Sequence, residues 1–251
     1  MTTNKKLNIA YPSDSYNVVT LVDPTEFGYI HLAAEVDRRH PFLPMSQKKR
    51  ALLKACKKMC QQLAKRDDVQ SAIVFKALLI PPGQGDYLKQ RPEVHVARFD
   101  LSILIETPTV EAAEQLRTNE AFKDIEKRIN ESSNYTHIIT ASNVRRIGPV
   151  DHQRNGVFLF NYFYADDVEQ NLAVWNYTAG WFEQETQLDN STLLLPQQTA
   201  ESDYTIVNHC RWDRLTDILP SILFKPTFRS YVLGNFEANR SAPIPILYRL
   251  A

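Results

Sequence analysis

The residues best equipped for chemistry gather in one segment, Asp203 to Phe236, which reads DYTIVNHCRWDRLTDILPSILFKPTFRSYVLGNF. It opens with a predicted strand, Tyr204 to Arg211, that runs into Trp212. Side chains alternate between the faces of a strand, so Asn208 and Trp212 share one face while His209 and Arg211 take the other. An imidazole can take up a proton near neutral pH and a guanidinium can hold the anion left behind, which makes His209 and Arg211 a candidate base and anion holder. Each residue also has a plain structural use: Trp212 can plug the core under a helix, and His209 can bond a neighbouring strand. Upstream, a second predicted strand, Val94 to Ile105, puts Arg98, Asp100 and Ser102 on one face and Ala97, Phe99, Leu101 and Ile103 on the other. A buried Arg98–Asp100 pair could receive an anion, although buried charges are most often paired for structural reasons.

The elements that must hold these groups follow from periodicity. After Trp212, apolar residues recur at Leu215, Ile218, Leu219, Ile222 and Leu223, the stripe of a helix with one face to bury. Pro220 falls inside that stripe, where it would cost a regular helix about 3 kcal/mol, so a kink or a restart is expected there. Pro226 can open a further turn, with Phe228 and Tyr231 one turn apart. The same layout occurs earlier in the chain. Sliding Phe228 onto Phe122 places Tyr231 on Ile125 and Ile222 on Leu116, after the strand Val94 to Ile105 and the break Glu106-Thr107-Pro108. A strand, a polar break, a helix and a second aromatic turn that all match at one offset suggest a duplication.

Taken in order, residues 1–16 read as a mobile arm and Asn17 to Val22 as a short strand, while Thr25 to Pro44 has no clear period. Ser46 is a candidate N-cap for an amphipathic helix to about Arg66, with Lys49, Lys54, Lys57, Lys58 and Lys65 on its solvated side. Gln70 to Ile80 is a strand and Pro81 to Gly85 a turn. After Val94 to Ile105 come a helical region from Thr109 to Asn130 and a strand from Tyr135 to Ile147. The segment Gly148 to Gly156 is punctuated and aperiodic, which sets two units, 1–150 and 151–251. The second starts with VFLFNYFY at Val157 to Tyr164, apolar on both faces and therefore expected between two layers. Asp166 or Asp167 caps the next helix, and further strands are read at Ser191 to Pro196, Tyr204 to Arg211 and Pro243 to Arg249. Each unit reads β-α-β-β-α-β.

Composition bounds the function. The chain has 251 residues, 43% of them hydrophobic, and no net charge. That is enough for two ordinary cores, and no overall field draws it to nucleic acid or an anionic membrane. No apolar run follows the N-terminal lysines and none approaches the length of a membrane span, so a cytoplasmic location is expected. Cys56, Cys60 and Cys210 have neither disulfide-framework nor zinc spacing. No metal site is read.

The run from Trp212-Asp213 through the apolar helix to Lys225-Pro226-Thr227-Phe228-Arg229 resembles the dimeric α+β barrel superfamily, and most of all the antibiotic biosynthesis monooxygenase-like domains. Their third strand closes on a Trp, and a Pro-x-Phe turn lies in the second helical region. The resemblance implies an α+β fold in which two ferredoxin-like βαββαβ units pack sheet to sheet, here within one chain as an internal pseudo-dimer, with further homo-oligomers open to it. It implies a small aromatic or quinol-type ligand and, for some relatives, oxygenation without a cofactor. Asn161 and Trp212 match in type and place the Asn and Trp that such relatives use, so the candidate catalytic set is Asn161, His209, Arg211 and Trp212. Asn208, Arg98 and Asp100 are candidate substrate contacts. Related haem proteins hold iron through a helix-borne histidine. None of His31, His40, His95, His137, His152 and His209 lies on a predicted helix, so no cofactor is expected. Two other functions stay open: a non-catalytic carrier or sensor, and a structural protein whose barrel is filled by its own side chains. Fold alone does not choose among them.

Overall fold

The computed structural model describes residues 7–37, 39, 41, 43–81, 85–197 and 202–251. The strands are β1 (Gly28–Glu35), β2 (Ser71–Leu79), β3 (Leu101–Thr107), β4 (Tyr135–Gly148), β5 (Val157–Ala165), β6 (Ser191–Pro196), β7 (Ile206–Trp212) and β8 (Ser241–Leu250). They close into one barrel in the order β1-β3-β2-β8-β5-β7-β6-β4. The first four strands run β4-β1-β3-β2 and the last four β8-β5-β7-β6. Antiparallel seams between β2 and β8 and between β4 and β6 join the two sets. Helices α1 (Gln47–Leu63), α3 (Val110–Thr118) and α4 (Glu120–Asn130) cover the outside of the first set. Helix α5 (Val168–Thr186), a 3-10 turn at Leu215–Asp217, α6 (Leu219–Phe224), a π-helical stretch at Phe228–Gly234 and α7 (Asn235–Ala238) cover the second. The short α2 (Asp86–Lys89) sits between β2 and β3 in the chain.

The doubly apolar β5 is explained by this layout. Phe158, Phe160 and Tyr162 point into the barrel, and Leu159 and Phe163 point out to the helices. The interior is packed with rings: Phe75 lies 5.2 Å from both Phe158 and Phe160 in edge-on contact, and Phe99 lies 5.0 Å from Tyr162. Edge-to-face contacts of this kind add to the area that the rings bury. Three buried histidines, His31, His137 and His209, and the half-buried His152 share the space. His31 Nε2 bonds Ser102 Oγ at 3.0 Å, His137 Nε2 bonds Ser202 Oγ at 3.0 Å, and the Nε2 atoms of His152 and His209 meet at 2.8 Å.

Local rules account for several element ends. Ser46 Oγ accepts from Lys49 N, and the Asp167 carboxylate accepts from Gln170 N, so both expected N-caps form. The helix restarts near Pro220, which sits in the first turn of α6 where its missing N–H costs nothing. Pro243 and Pro245 lie on β8 before it meets β2, which pairs only with Leu247 to Leu250, so each proline occupies a stretch with β5 alone as neighbour.

Other expectations are corrected. The strand expected at Asn17 to Val22 is a single bridge from Val22 to Arg146, and β1 lies instead in the aperiodic segment that comes after it. Every residue of Gly28–Ala34 is buried, so both faces had to be apolar and no alternation was left to read. The strand expected from Val94 begins only at Leu101, so the face shared by Arg98 and Asp100 does not exist. The helical region after Thr109 breaks at Asn119, whose side chain accepts from Ala121 N to start α4. Pro82, Gly83 and Gln84 of the expected turn, and His40, lie outside the described residues. So do the first six residues of the expected arm.

The rest of that arm is docked. Asn8 and Asn239 exchange hydrogen bonds, as do Tyr11 and Asn235, and the Tyr16 hydroxyl reaches Glu185 and Thr227. The strap presses so closely on α5 that a Cβ at Gly180 would stand 1.8 Å from the Asn17 carbonyl oxygen, which requires glycine there. No helix among the described residues is long and apolar enough to cross a membrane.

Candidate functional site

A cavity of about 660 Å3 lies between the outer face of the β5–β8 sheet and the helices that cover it. Its floor is Leu159, Asn161 and Phe163 of β5 with Asn208, Cys210 and Trp212 of β7. Trp175 and Phe182 of α5 and Phe228 and Val232 of the π-helical stretch make the roof. The widened turn of a π-helix is a common way to shape a site, because it shifts side chains out of the regular helical register. Leu79, Pro81 and Tyr87 close one side, so the first half of the chain contributes wall to a cavity in the second. The Tyr87 hydroxyl bonds Asp166, which is also met by Arg240 at 2.5 Å and Arg91 at 3.4 Å, and this knot fixes α2 against the start of α5.

The polar groups on the floor are few. Asn161 and Asn208 are directly opposed across the β5–β7 ladder, so their side chains leave the sheet side by side. The Asn208 carboxamide oxygen accepts from Ser191 Oγ at 2.6 Å, and its nitrogen makes only a 4.0 Å contact with Cys210 Sγ. Asn161 Oδ1 is buried without a hydrogen-bond partner, a state that costs a folded protein free energy unless something else supplies a donor. Trp212 Nε1 donates to Thr186 Oγ1 at 3.0 Å, and that hydroxyl donates to the Phe182 carbonyl at 2.6 Å, so the indole is locked in plane under α5. Burial holds the Cys210 thiol well above its usual pKa, and so protonated.

The structure therefore divides the residues singled out from sequence. It brings together Asn161, Asn208 and Trp212. His209 and Arg211, of opposite parity on β7, face away from the cavity, with the sheet in between. His209 Nδ1 lies 2.9 Å from the Leu159 carbonyl and its Nε2 faces His152, which fits a neutral imidazole that donates once and accepts once. Desolvation and then the neighbouring His152 hold its pKa well below the usual value. Arg211 is tied to Asp213 at 2.7 Å and to the Asn155 carbonyl at 2.5 Å. Asp100 is fully buried and pairs with Lys49 at 2.9 Å, not with Arg98, while accepting from the amides of Val36 and Asp37. Arg98 is exposed and Lys49 is not on the solvated side of α1. Both departures follow from the late start of β3, which turns Asp100 under the N-terminus of α1.

Sequence reasoning missed Ser191, Thr186 and the α2 wall. Ser191 and Thr186 carry no signal apart from the partners they bond. The amides did carry one: each is a lone carboxamide inside an apolar strand, VFLFNYF and IVNHC. Among the described residues, no cluster of three or more His, Cys, Asp or Glu could hold a metal ion.

No protein-family profile matches the sequence, and no curated protein matches it. Solved structures do match the shape. An anthrone oxidase-like protein superposes with a TM-score of 0.66 at 12% identity, covering 92% of this chain and 94% of that one. A Fusobacterium nucleatum protein provisionally named a monooxygenase gives 0.56 at 9% identity, over 90% and 93%. The fold shared with these structures is a closed, eight-stranded α+β barrel. At these identities the likeness is one of fold, and the barrel is shared with the pattern that Trp212 and Pro226 to Phe228 suggested. The two ring systems on the floor and roof, Trp212 and Phe228, are the residues of that pattern that meet the cavity.

Proposed function

We propose that the chain binds a small, largely apolar ring compound in the cavity over β5 and β7, and that it is a monooxygenase-like protein acting on that compound without a bound cofactor. The observation that carries this is the opposed pair Asn161 and Asn208 on the floor of an otherwise largely apolar 660 Å3 space, a combination of shape and sparse polarity typical of ligand sites. The names of the two structural neighbours support the reaction class. In this reading Asn161 and Asn208 orient the compound, Trp212 stacks beneath it, and the helices exclude water. The proposal includes an origin by tandem duplication, with residues 1–150 and 151–251 as two ferredoxin-like units that meet as an internal pseudo-dimer. A cytoplasmic location and association into homo-oligomers belong to it as well.

One observation favours a second reading, a carrier. No histidine, lysine or arginine lines the cavity among the described residues, so a substrate would have to lose its proton without a strong base beside it. Oxygen uptake measured against a panel of anthrones and quinols separates the two. An oxygenase consumes oxygen with at least one of them, loses most of that rate in Asn208→Leu, and keeps it in Arg98→Ala. Binding without uptake across the panel leaves the carrier, and neither binding nor uptake sinks both.

A further inference from the structure

The N-terminal strap and the cavity lie on opposite faces of one layer of helix. On the inner face, Phe182 of α5 with Phe228 and Val232 of the π-helical stretch lines the cavity. On the outer face the strap docks, and none of its described residues lines the cavity. Tyr16 is the centre of the docking: its ring lies 4.7 Å from that of Tyr231, and its hydroxyl meets Thr227 Oγ1 at 3.1 Å and Glu185 Oε1 at 3.2 Å. Thr227 Oγ1 also accepts from the indole of Trp181 at 2.9 Å. The fully buried Trp181 ring in turn packs on Phe182 at 5.0 Å and on Phe228 at 5.3 Å. Glu185 bonds Lys225 as well, and its carbonyl accepts from Ser221 Oγ at 2.7 Å. One tyrosine therefore ties α5, α6 and the π-helical stretch together, one layer behind two rings that a ligand touches. Farther along the stretch, a Cβ at Gly234 would stand 2.4 Å from the Tyr11 ring, and Asn235 exchanges two hydrogen bonds with the Tyr11 backbone.

We infer that the strap is a working part of the ligand site, a backing that completes the cavity roof from outside, with Tyr16 as its positioning residue. This rests on the reading of the cavity as a ligand site. The roof has the cavity on its inner side, where its rings lack partner atoms, so the outer contacts set where Phe182 and Phe228 stand. When the strap detaches, both rings can drift, and only the fraction of molecules that still holds them in place binds the ligand. The coupling is reciprocal: the factor by which strap release weakens ligand binding is the factor by which a bound ligand suppresses strap release.

Two neutral ring compounds whose emission rises in apolar surroundings serve as probes, 1-aminoanthracene and N-phenyl-1-naphthylamine, with quenching of the cavity-lining Trp175 and Trp212 as a second readout. Tyr16→Phe removes the hydroxyl and keeps the ring. Gly180→Ala, at a position outside the cavity lining, puts a methyl 1.8 Å from the Asn17 carbonyl oxygen and so lifts the strap. Each variant should bind both probes about fivefold more weakly. In the unaltered protein, saturating probe should slow hydrogen exchange at the amides of Asn8 and Tyr11, which donate to Asn239 and Asn235, by about the same factor. A strap that only adds stability leaves that exchange unmoved by the probe. Such a result overturns the inference whatever the variants do, and leaves the cavity as a ligand site; so do equal probe affinities in the unaltered protein and both variants. If neither compound binds the unaltered protein, the reading of the cavity falls and the inference with it. The exchange measurement needs no variant, so it decides even where a variant does not fold.

Discussion

The two halves of the barrel carry the same layers, and among the described residues they are filled differently. Over β1 to β4, the space between sheet and helices is filled by Leu52, Cys56, Phe122, Ile125 and Ile129 packed on Leu32 and Ile103. Over β5 to β8 the corresponding space holds a cavity of about 660 Å3. The two central cross-strand pairs show what changed. In the first half the fifth residue of β1 faces the third of β3, and the pair is Leu32 and Ile103. In the second half the fifth residue of β5 faces the third of β7, and the pair is Asn161 and Asn208. Two carboxamides at the centre of a floor cannot be covered by aliphatic side chains without loss, since each polar atom needs a partner. The roof changes in step, from the regular α4 to a π-helical stretch. One half supplies stability through close packing and the other gives up packing for a site.

The largest effect that tests this division concerns the layer that the halves share. His31 and His137 come from the first half and His152 and His209 from the second, His152 half-buried and the other three buried in the barrel. Desolvation lowers the pKa of His31 to about 3, and those of His137 and His152 to about 4; in each case burial is the leading cause. The folded pKa lies below the unfolded one, so the neutral form is favoured in the barrel. Stability is therefore full above about pH 6.5 and falls as pH drops through the window down to about 4 for His137 and His152 and about 3 for His31. Each group contributes up to about 1.4 kcal/mol per pH unit at full slope. Several acting together should unfold the protein steeply in mild acid, and in one step, because both halves lose the same core. All three tryptophans lie in the second half and Cys56 and Cys60 in the first. Tryptophan fluorescence and thiol labelling, the latter in a Cys210→Ser background, should report the same midpoint. Separate midpoints would show that the halves are independent and that the shared interior does not couple them.

Next in size is a pair of matched truncations. Phe122 and Phe228 both lie on helices that cover the barrel, but Phe122 is fully buried and Phe228 lines the cavity half-buried. Phe122→Ala should cost about 3–5 kcal/mol, the usual loss for a ring removed from a closed core. Phe228→Ala should cost about 1–2 kcal/mol, because one side of that ring already lacks neighbours. Urea unfolding midpoints give both values at once. Equal losses would mean that the cavity closes up around its lining and that the contrast between the halves is not energetic.

Much of this contrast could be read from the sequence, and the part that could not has a physical reason. The doubly apolar VFLFNYFY placed β5 between two layers. Parity along β7 alone separates Asn208 and Trp212 from His209 and Arg211. The chemical appeal of an imidazole beside a guanidinium put all four into one site, and the sheet keeps them apart. Parity was the better guide because a strand cannot show one face to two compartments. β1 escaped notice because a strand buried on both sides shows no alternation. Asp100 pairs with Lys49 and not with Arg98 because the strand begins at Leu101 and not at Val94, and in the sequence Lys49 is indistinguishable from the solvated lysines of α1. The docking of residues 7–17 rests on backbone contacts with Asn235 and Asn239, which no local pattern announces.

The smallest expected effect is the most direct on the floor itself. Asn161→Leu installs in the hollow half the residue that the packed half has at Leu32. It removes a buried carboxamide oxygen that lacks a partner and adds apolar surface next to Leu159, Phe163 and Trp212, so unfolding should become harder by about 1 kcal/mol, the return on deleting an unsatisfied polar group. A residue kept at a cost in stability is what a binding site predicts, and a residue kept for packing predicts the reverse. Urea unfolding of this single variant without any ligand therefore distinguishes them. A loss of stability of similar size would mean that Asn161 is part of the fold's own bonding, and that the difference between the two central pairs has nothing to do with a ligand.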